Sequence, residues 1–234
     1  MPSKDGNRTQ GTNQLGEDCG RMDLTTHKQP SLRERNRLRA RSDILDAAAG
    51  ILGESGYAGT ALEEVSQRAG LSRGTLYAHF PGGREEIVRE VYLRIADAVY
   101  VRGISLHKQA PDTASRVSAL ARALVEAAST PAGRFYGIMG PDIVPVLSGI
   151  MGGTYQSFEA LIRLDLSAAM TDGPYNEETD IDALAAALAG AIRASGARAA
   201  IEPESVERQI AAVKLLTQGL LRLSKASAWT GEAR

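Results

Sequence analysis

The spacing of apolar residues predicts helices along almost the whole chain. From residue 31 onward, apolar side chains recur every three or four positions, as on one face of an α-helix. Val, Ile and Thr do not form the alternating runs that are typical of strands. We therefore predict an all-α fold. The predicted helices cover residues 31–56, 60–69, 72–80, a long segment that starts at 84, and segments near 113–129, 153–170, 180–197 and 203–226.

Capping residues delimit the short helices near the start of this pattern. Ser31 with Glu34, and Thr60 with the glutamate three residues later, have the spacing of capping boxes. Gly70 is suited to end the helix before it, and Ser72 to cap the helix that follows. Two short helices joined by a tight turn are the layout of a helix-turn-helix, which predicts a DNA-binding unit between residues 60 and 80.

The second of these helices carries more hydrogen-bonding side chains than its packing requires. Polar groups at a helix N-terminus suit the DNA major groove, where the first turn reads base edges. Arg73 is able to pair with guanine, Thr75 to contact a thymine methyl, and Tyr77 to donate to phosphate. Gly74 keeps the first turn thin, so that the backbone can approach DNA. The alternative for Tyr77 and His79 is that they only border the core.

A basic block precedes the helix-turn-helix. Residues 28–84 contain nine Lys/Arg against six Asp/Glu, whereas residues 85–234 contain fifteen against eighteen. Five arginines at alternate positions, which a helix would spread over two faces, make up most of this block. We expect them to contact the DNA backbone or minor groove, the alternative being a solvated face. They are Arg33, Arg35, Arg37, Arg39 and Arg41.

Composition limits the other functions. The chain of 234 residues has one cysteine, so no intrachain disulfide can form, which fits a reducing compartment. We find no secretory signal and no apolar run of membrane-spanning length, and expect a cytoplasmic protein without membrane contact. Residues 1–30 are polar and are expected to be disordered. No set of nucleophile, base or metal ligands stands out after residue 84, so we expect neither enzymatic activity nor a cofactor or metal.

The segment from Ile44 through Val91 resembles the DNA-binding domain of TetR-type bacterial repressors. The resemblance rests on the Ile-Leu-x-Ala-Ala start, Ala69-Gly70 and the sequence Ser-x-Gly-Thr-Leu-Tyr-x-His-Phe. The turn at residues 81–84 differs from the commoner form and is similar to the LmrA-like branch. The resemblance implies that the residues matching Thr60, Ser72, Arg73, Thr75, Tyr77 and His79 lie at or near DNA, and that Arg84 contacts phosphate.

The resemblance also implies a homodimer with a helical, ligand-binding C-terminal domain that binds palindromic double-stranded DNA. The expected domains are a helix-turn-helix domain over 31–83, a ligand-binding and dimerisation domain over 84–226, and a tail over 227–234. Rings and flexible methionines suit an apolar or aromatic effector. The candidate liners are Tyr100, Phe135, Tyr136, Met139, Met151, Tyr155, Phe158 and Met170, with His107, Asp142 and Glu159 as candidate polar contacts.

Two apolar stripes near the end of the chain are candidates for the dimer interface. Small residues in the helix near 180–197 permit close helix approach, and a matching stripe runs along the last helix. Ordinary packing within one chain is the alternative. The candidate interface residues are Leu184, Ala187, Leu188, Ala191, Ile192, Val213, Leu216 and Leu220.

A ligand-released repressor is thus the leading hypothesis. Two alternatives stay open: a helix-turn-helix regulator controlled by a protein partner, and, less favoured, an enzyme fused to a DNA-binding domain. A closed pocket would favour the first alternative, and a set of reactive side chains would favour the second.

Overall fold

A computed structural model describes residues 31–171 and 180–229, and within these ranges the chain is helical and contains no strand. The all-α prediction is confirmed. The predicted N-terminal extension, the loop before residue 180 and the last five residues lie outside the described ranges. The helices are α1 Leu32–Ser55, α2 Leu62–Arg68, α3 Arg73–His79, α4 Gly83–Gln109, α5 Thr113–Ala128, α6 Arg134–Gly137, α7 Gly153–Thr171, α8 Ile181–Ile201 and α9 Val206–Trp229.

The ends of the first helices follow mostly from local chemistry. The Ser31 hydroxyl accepts a hydrogen bond from the Glu34 amide at 3.2 Å, as the capping pattern predicts. At the other end of α1, Gly56 adopts a φ of 68°, a conformation that glycine adopts without strain. The capping box predicted at Thr60 is wrong: α2 is capped by Ala61 without a side-chain bond, and the Thr60 hydroxyl donates to the Gly56 carbonyl at 2.8 Å.

The first hydrophobic core joins the helix-turn-helix to the helices that follow it. Buried side chains of α1, α2 and α3 pack with the first half of α4 and with the segment of residues 131–151. From that segment Phe135, Ile143 and Leu147 enter this core, each at most 4% exposed. The DNA-binding unit therefore shares its core with part of the C-terminal region.

The second core lies inside the bundle of α4, α5, α7, α8 and α9.

Helix α8 meets the length and composition criteria for a membrane span although it packs inside the bundle. It is long and apolar enough by length and composition to cross a membrane, contrary to the expectation that no such run exists. However, its residues Ala185, Leu188 and Ile192 are buried against neighbouring helices, as in the core helix of a soluble protein.

Candidate functional site

The polar first turn of α3 lies at the surface of the helix-turn-helix. Ser72 caps the helix: its hydroxyl accepts from the Thr75 amide at 3.1 Å and lies 2.9 Å from the Thr75 hydroxyl. Gly74 is exposed, and an added Cβ there would meet no atom closer than 3.7 Å. Leu76 turns inward and is 1% exposed, which fixes α3 to the core. The turn is thus rigid on one side and open to a ligand on the other.

Arg73 forms an ion pair with Glu63, a residue that the sequence analysis did not include in the site. The guanidinium and carboxylate are 2.7 Å apart, and both side chains are more than half exposed. An exposed pair of this kind contributes little to stability, so a base or a phosphate can replace the carboxylate at low cost. Tyr77 is 43% exposed, and a Cβ added to Gly83 at the start of α4 would lie 3.7 Å from its ring.

Two predicted DNA contacts are instead engaged inside the protein. Thr60 is 1% exposed and its hydroxyl holds the α1–α2 turn. Arg41 donates to the His79 carbonyl at 2.7 Å, pairs with Glu90 and lies over the Phe80 ring. Arg41 therefore ties α1 to α3 and α4, because its donors are used within the protein and a phosphate would have to break these contacts.

The other basic candidates remain available at the surface. Arg33 and Arg37 line a groove together with His79 at the end of α3, so the structure brings part of the basic block next to α3. Arg35 and Arg39 are exposed on α1 outside this groove. Arg84 is half-buried, with its guanidinium 4.3 Å from the centre of the Tyr57 ring.

A cavity of about 140 Å³, the central cavity, lies in the C-terminal bundle between α4, α6, α7 and α8. Five of the eight predicted liners border it: Tyr136, Met139, Met151, Tyr155 and Phe158. Of the other predicted liners, Phe135 belongs to the first core, and Met170 packs elsewhere in the second core. Tyr100 lies in a neighbouring surface groove instead.

The predicted polar contacts also lie elsewhere. His107 pairs with buried Asp165 at 2.6 Å, Glu159 pairs with Arg163, and none of the three candidates, including Asp142, lines the cavity. Tyr92, Thr154 and Arg193 line the cavity but were not predicted from the sequence. Tyr92 and Thr154 lie on α4 and α7 at helical positions that gave no signal distinct from ordinary packing.

Three hydroxyls line one side of the cavity, those of Tyr92, Tyr136 and Thr154, and we call them the hydroxyl cluster. The rings of Tyr92 and Tyr136 are 5.2 Å apart. Burial raises the pKa of Tyr136 to about 12, although hydrogen bonding with Thr154 opposes the shift. Tyr136 is therefore a neutral phenol at physiological pH, able to donate a hydrogen bond inside a mostly apolar space.

The predicted interface residues divide into two groups. Leu188, Ile192 and Val213 are at most 7% exposed and pack within one chain in the second core, as the alternative of intrachain packing predicted. Ile192 also lines the central cavity. The remainder reach the surface to differing extents: Ala187 and Leu216 are exposed, and Leu184, Ala191 and Leu220 are half-buried.

Comparison with known proteins agrees with the geometry of the N-terminal helices. Residues 44–91 match the family described as bacterial regulatory proteins, tetR family. The chain is also 29% identical over 85 residues to the HTH-type transcriptional regulator LmrA of Bacillus subtilis (strain 168). That match covers 36% of this chain and 45% of LmrA, so the chain spans less than half the length of this curated relative.

Solved structures share the fold over most of the chain. A TetR-family transcriptional regulator from Pectobacterium atrosepticum superposes with a TM-score of 0.56 at 23% identity, covering 82% of this chain and 96% of that one. The TetR family protein CprB from S. coelicolor A3(2) gives a TM-score of 0.57 at 20% identity, covering 80% and 88%. At these identities the likeness establishes the fold alone.

Proposed function

The chain is a TetR-family protein with a helix-turn-helix domain at its N-terminal end, and we propose that it is a homodimeric repressor released from operator DNA by a small apolar or aromatic ligand. The observation that carries this proposal is the exposed first turn of α3. Ser72, Arg73 and Tyr77 stand at the surface there, while Leu76 anchors the same helix from behind. A short helix in this arrangement fits a major groove.

The proposed dimer uses an apolar face formed by α8 and α9. On α8 the small residues Ala183, Ala187 and Ala194 are exposed, and on α9 Leu215 and Leu216 are 66% and 57% exposed. Large side chains on one helix and small ones on the other suit an isologous four-helix contact, in which the leucines of each subunit meet the alanines of its partner. Such a dimer would present two α3 helices to successive major grooves, roughly 34 Å apart.

Segment 131–151 provides a route from the cavity to the DNA-binding unit. Tyr136 and Met139 line the cavity and also pack against the first core. Further along the segment, Ile143 and Leu147 are buried in that core, and Arg89 of α4 donates to the Val146 carbonyl at 3.1 Å. A ligand that displaces Tyr136 or Met139 would shift this segment and α4 together, moving the two α3 helices out of register. The ligand must prefer the shifted state for this to release DNA.

The DNA-binding proposal is tested by the double substitution Arg73→Ala/Tyr77→Ala. We expect specific affinity for the DNA upstream of the protein's own gene to fall about 10- to 100-fold, because a bidentate arginine contact and a phosphate contact are both lost. The measurement is a gel shift at fixed salt concentration, with Arg208→Ala, which removes an exposed charge from α9, as the matched control. Unchanged specific binding by the double variant would refute the assignment of α3.

The dimer proposal is tested by Leu216→Glu. We expect the dimer dissociation constant to rise about 30-fold, since a charge would have to be desolvated at the contact. The same substitution at Leu164, which is 66% exposed on α7, should leave association unchanged. Sedimentation equilibrium measures both variants. A dimer that tolerates glutamate at 216 but not at 164 would place the interface on another face.

A further inference from the structure

A surface groove adjoins the central cavity on its α4–α7 side. This α4–α7 groove has a volume of about 270 Å³ and is bordered by Leu93, Asp97 and Tyr100 of α4 and Ser157 of α7. Tyr92 and Thr154 line both the groove and the cavity. These two side chains therefore stand between the cavity and the groove.

The wall between the spaces is held by weak, local contacts. The Thr154 hydroxyl donates to the Ala96 carbonyl at 3.2 Å, and the Gly152 amide donates to the Tyr92 hydroxyl at 3.2 Å. The chain leading into α7 has positive φ values at Gly149 and Gly152, of 80° and 92°. Each hydrogen bond is long and worth about 1 kcal/mol. Tyr92 is also 3% exposed and packed in the first core, so Thr154 is the side of the wall that ligand binding can move at modest cost.

The volumes favour a ligand that uses both spaces. The cavity alone, at about 140 Å³, is close to the ~150 Å³ apolar cavity that holds benzene, and is below the ~300 Å³ that small-molecule sites usually reach. The groove supplies the missing volume and a second apolar surface, from Leu93 and Tyr100. One ring or a short apolar group would fill the cavity, and the rest of the molecule would lie in the groove.

The hydroxyl cluster stands at the junction of the two spaces. Tyr92 and Thr154 form the wall itself, and Tyr136 lines the cavity beside them, with its ring centre 5.2 Å from that of Tyr92. Because Tyr136 is protonated at physiological pH, the cluster offers donors to a neutral oxygen acceptor at this point. Arg193 also lines the cavity, but its guanidinium lies over the Tyr155 ring, 5.5 Å from the ring centre, and is not part of the hydroxyl cluster. A carboxylate placed at the cluster would therefore be desolvated without a cation paired to it there, which disfavours it.

On the basis of the proposed ligand-released function, we propose that the effector is a neutral, elongated molecule with a carbonyl-type oxygen near its middle. Its apolar end occupies the central cavity, its oxygen accepts hydrogen bonds from the hydroxyl cluster, and its other end lies in the α4–α7 groove against Tyr100. Tyr136 and Thr154 select for the oxygen, and Tyr100 selects for length.

The test uses phenyl alkyl ketones of increasing chain length as probes, with alkylbenzenes and phenylalkanoates of equal length as comparisons. Calorimetric titration of the full-length protein should show ketones binding about 10-fold tighter than matched hydrocarbons, the effect of one buried hydrogen bond. Ketone affinity should rise with chain length as the groove fills, and the carboxylates should bind more weakly than the ketones. Equal binding of ketone and hydrocarbon, tighter binding of the carboxylates, or no binding of any ketone would overturn the proposal.

Substitutions distinguish the contribution of the central cavity to binding from that of the α4–α7 groove. Tyr136→Phe should remove the preference for ketones over hydrocarbons while leaving hydrocarbon affinity unchanged, and Thr154→Val should weaken the same preference if the first variant folds poorly. Tyr100→Ala should weaken long ketones about 5-fold but not acetophenone, because only the long probes reach the groove. Val101→Ala, at the next, exposed position of α4 outside the groove, is the matched control and should change neither.

Gel shifts on the same protein preparations distinguish the two hypotheses. Loss of the ketone pattern with DNA binding intact would refute only the ligand class, whereas a protein that shows the ketone pattern but never binds duplex DNA would refute the proposed function. Retention of the ketone preference in both Tyr136→Phe and Thr154→Val would refute the role of the hydroxyl cluster.

Discussion

Replacing Gly53 with alanine should destabilise the protein by about 3 kcal/mol. Gly53 lies in α1 where the helix meets the start of segment 131–151, and a Cβ there would lie 1.9 Å from the Pro131 carbonyl oxygen. A backbone atom cannot swing away as a flexible side chain can, so α1 and the segment must separate. Because this contact belongs to the route between cavity and DNA-binding unit, we also expect weaker DNA binding. Urea unfolding measures the change in stability.

Gly50, one turn earlier in α1, provides the matched control. An added Cβ there would lie 3.3 Å from the end of the Arg68 side chain, which can move. Gly50→Ala should therefore stabilise the protein by about 0.5 kcal/mol, through the better helix propensity of alanine. Equal effects of the two substitutions would show that α1 does not pack closely against residue 131.

Asp165→Asn should cost about 3 kcal/mol, the second large effect. The Asp165 side chain is 7% exposed, and its carboxylate lies 2.6 Å from the His107 ring and 3.2 Å from the Arg116 guanidinium. It thereby joins α4, α5 and α7 at the end of the bundle away from the DNA-binding unit. Removing the charge leaves His107 and Arg116 facing a neutral amide inside the bundle. Thermal or urea unfolding would detect the lower free energy of unfolding.

Asp182→Asn makes the same chemical change at the surface. Its carboxylate pairs with Arg163, but the side chain is 75% exposed, so water replaces the lost contact. We expect a change of less than about 0.5 kcal/mol. If Asp182→Asn lowered the free energy of unfolding as much as Asp165→Asn, burial would not determine how much these ion pairs stabilise the protein.

The helix-turn-helix was the part of the protein that the sequence predicted best. Its helix ends at Ser31, Gly56 and Ser72 follow from hydrogen bonds within a few residues, and the predicted bounds of α3 differ from the observed ones by one residue at each end. Thr60 is the exception. Its hydroxyl bonds back to Gly56 rather than forward into α2, and a pattern of residue types does not distinguish these two directions.

The lining of the central cavity could be predicted only in part from the sequence. Rings and methionines identified Tyr136, Met139 and Phe158, but the same residue types fill ordinary cores, as Phe135 and Met170 do. Tyr92 and Thr154 were missed because their role arises from the meeting of α4 with α7. That contact joins residues more than fifty positions apart, and nothing in either local sequence records it.

By itself the sequence determined that the chain is helical, where most helices begin and end, and that α3 presents polar groups, because these properties depend on neighbours three or four residues away. Only the tertiary structure decided which of the equally apolar residues face inward. Leu188, Ile192 and Val213 became core, while Leu215 and Leu216 stayed exposed. It also placed Arg41, a predicted DNA contact, in contacts with the His79 carbonyl and Glu90 inside the protein. The burial of a side chain depends on how whole helices pack. Helical periodicity identifies an apolar stripe on a helix, but it does not specify which neighbouring helix covers that stripe.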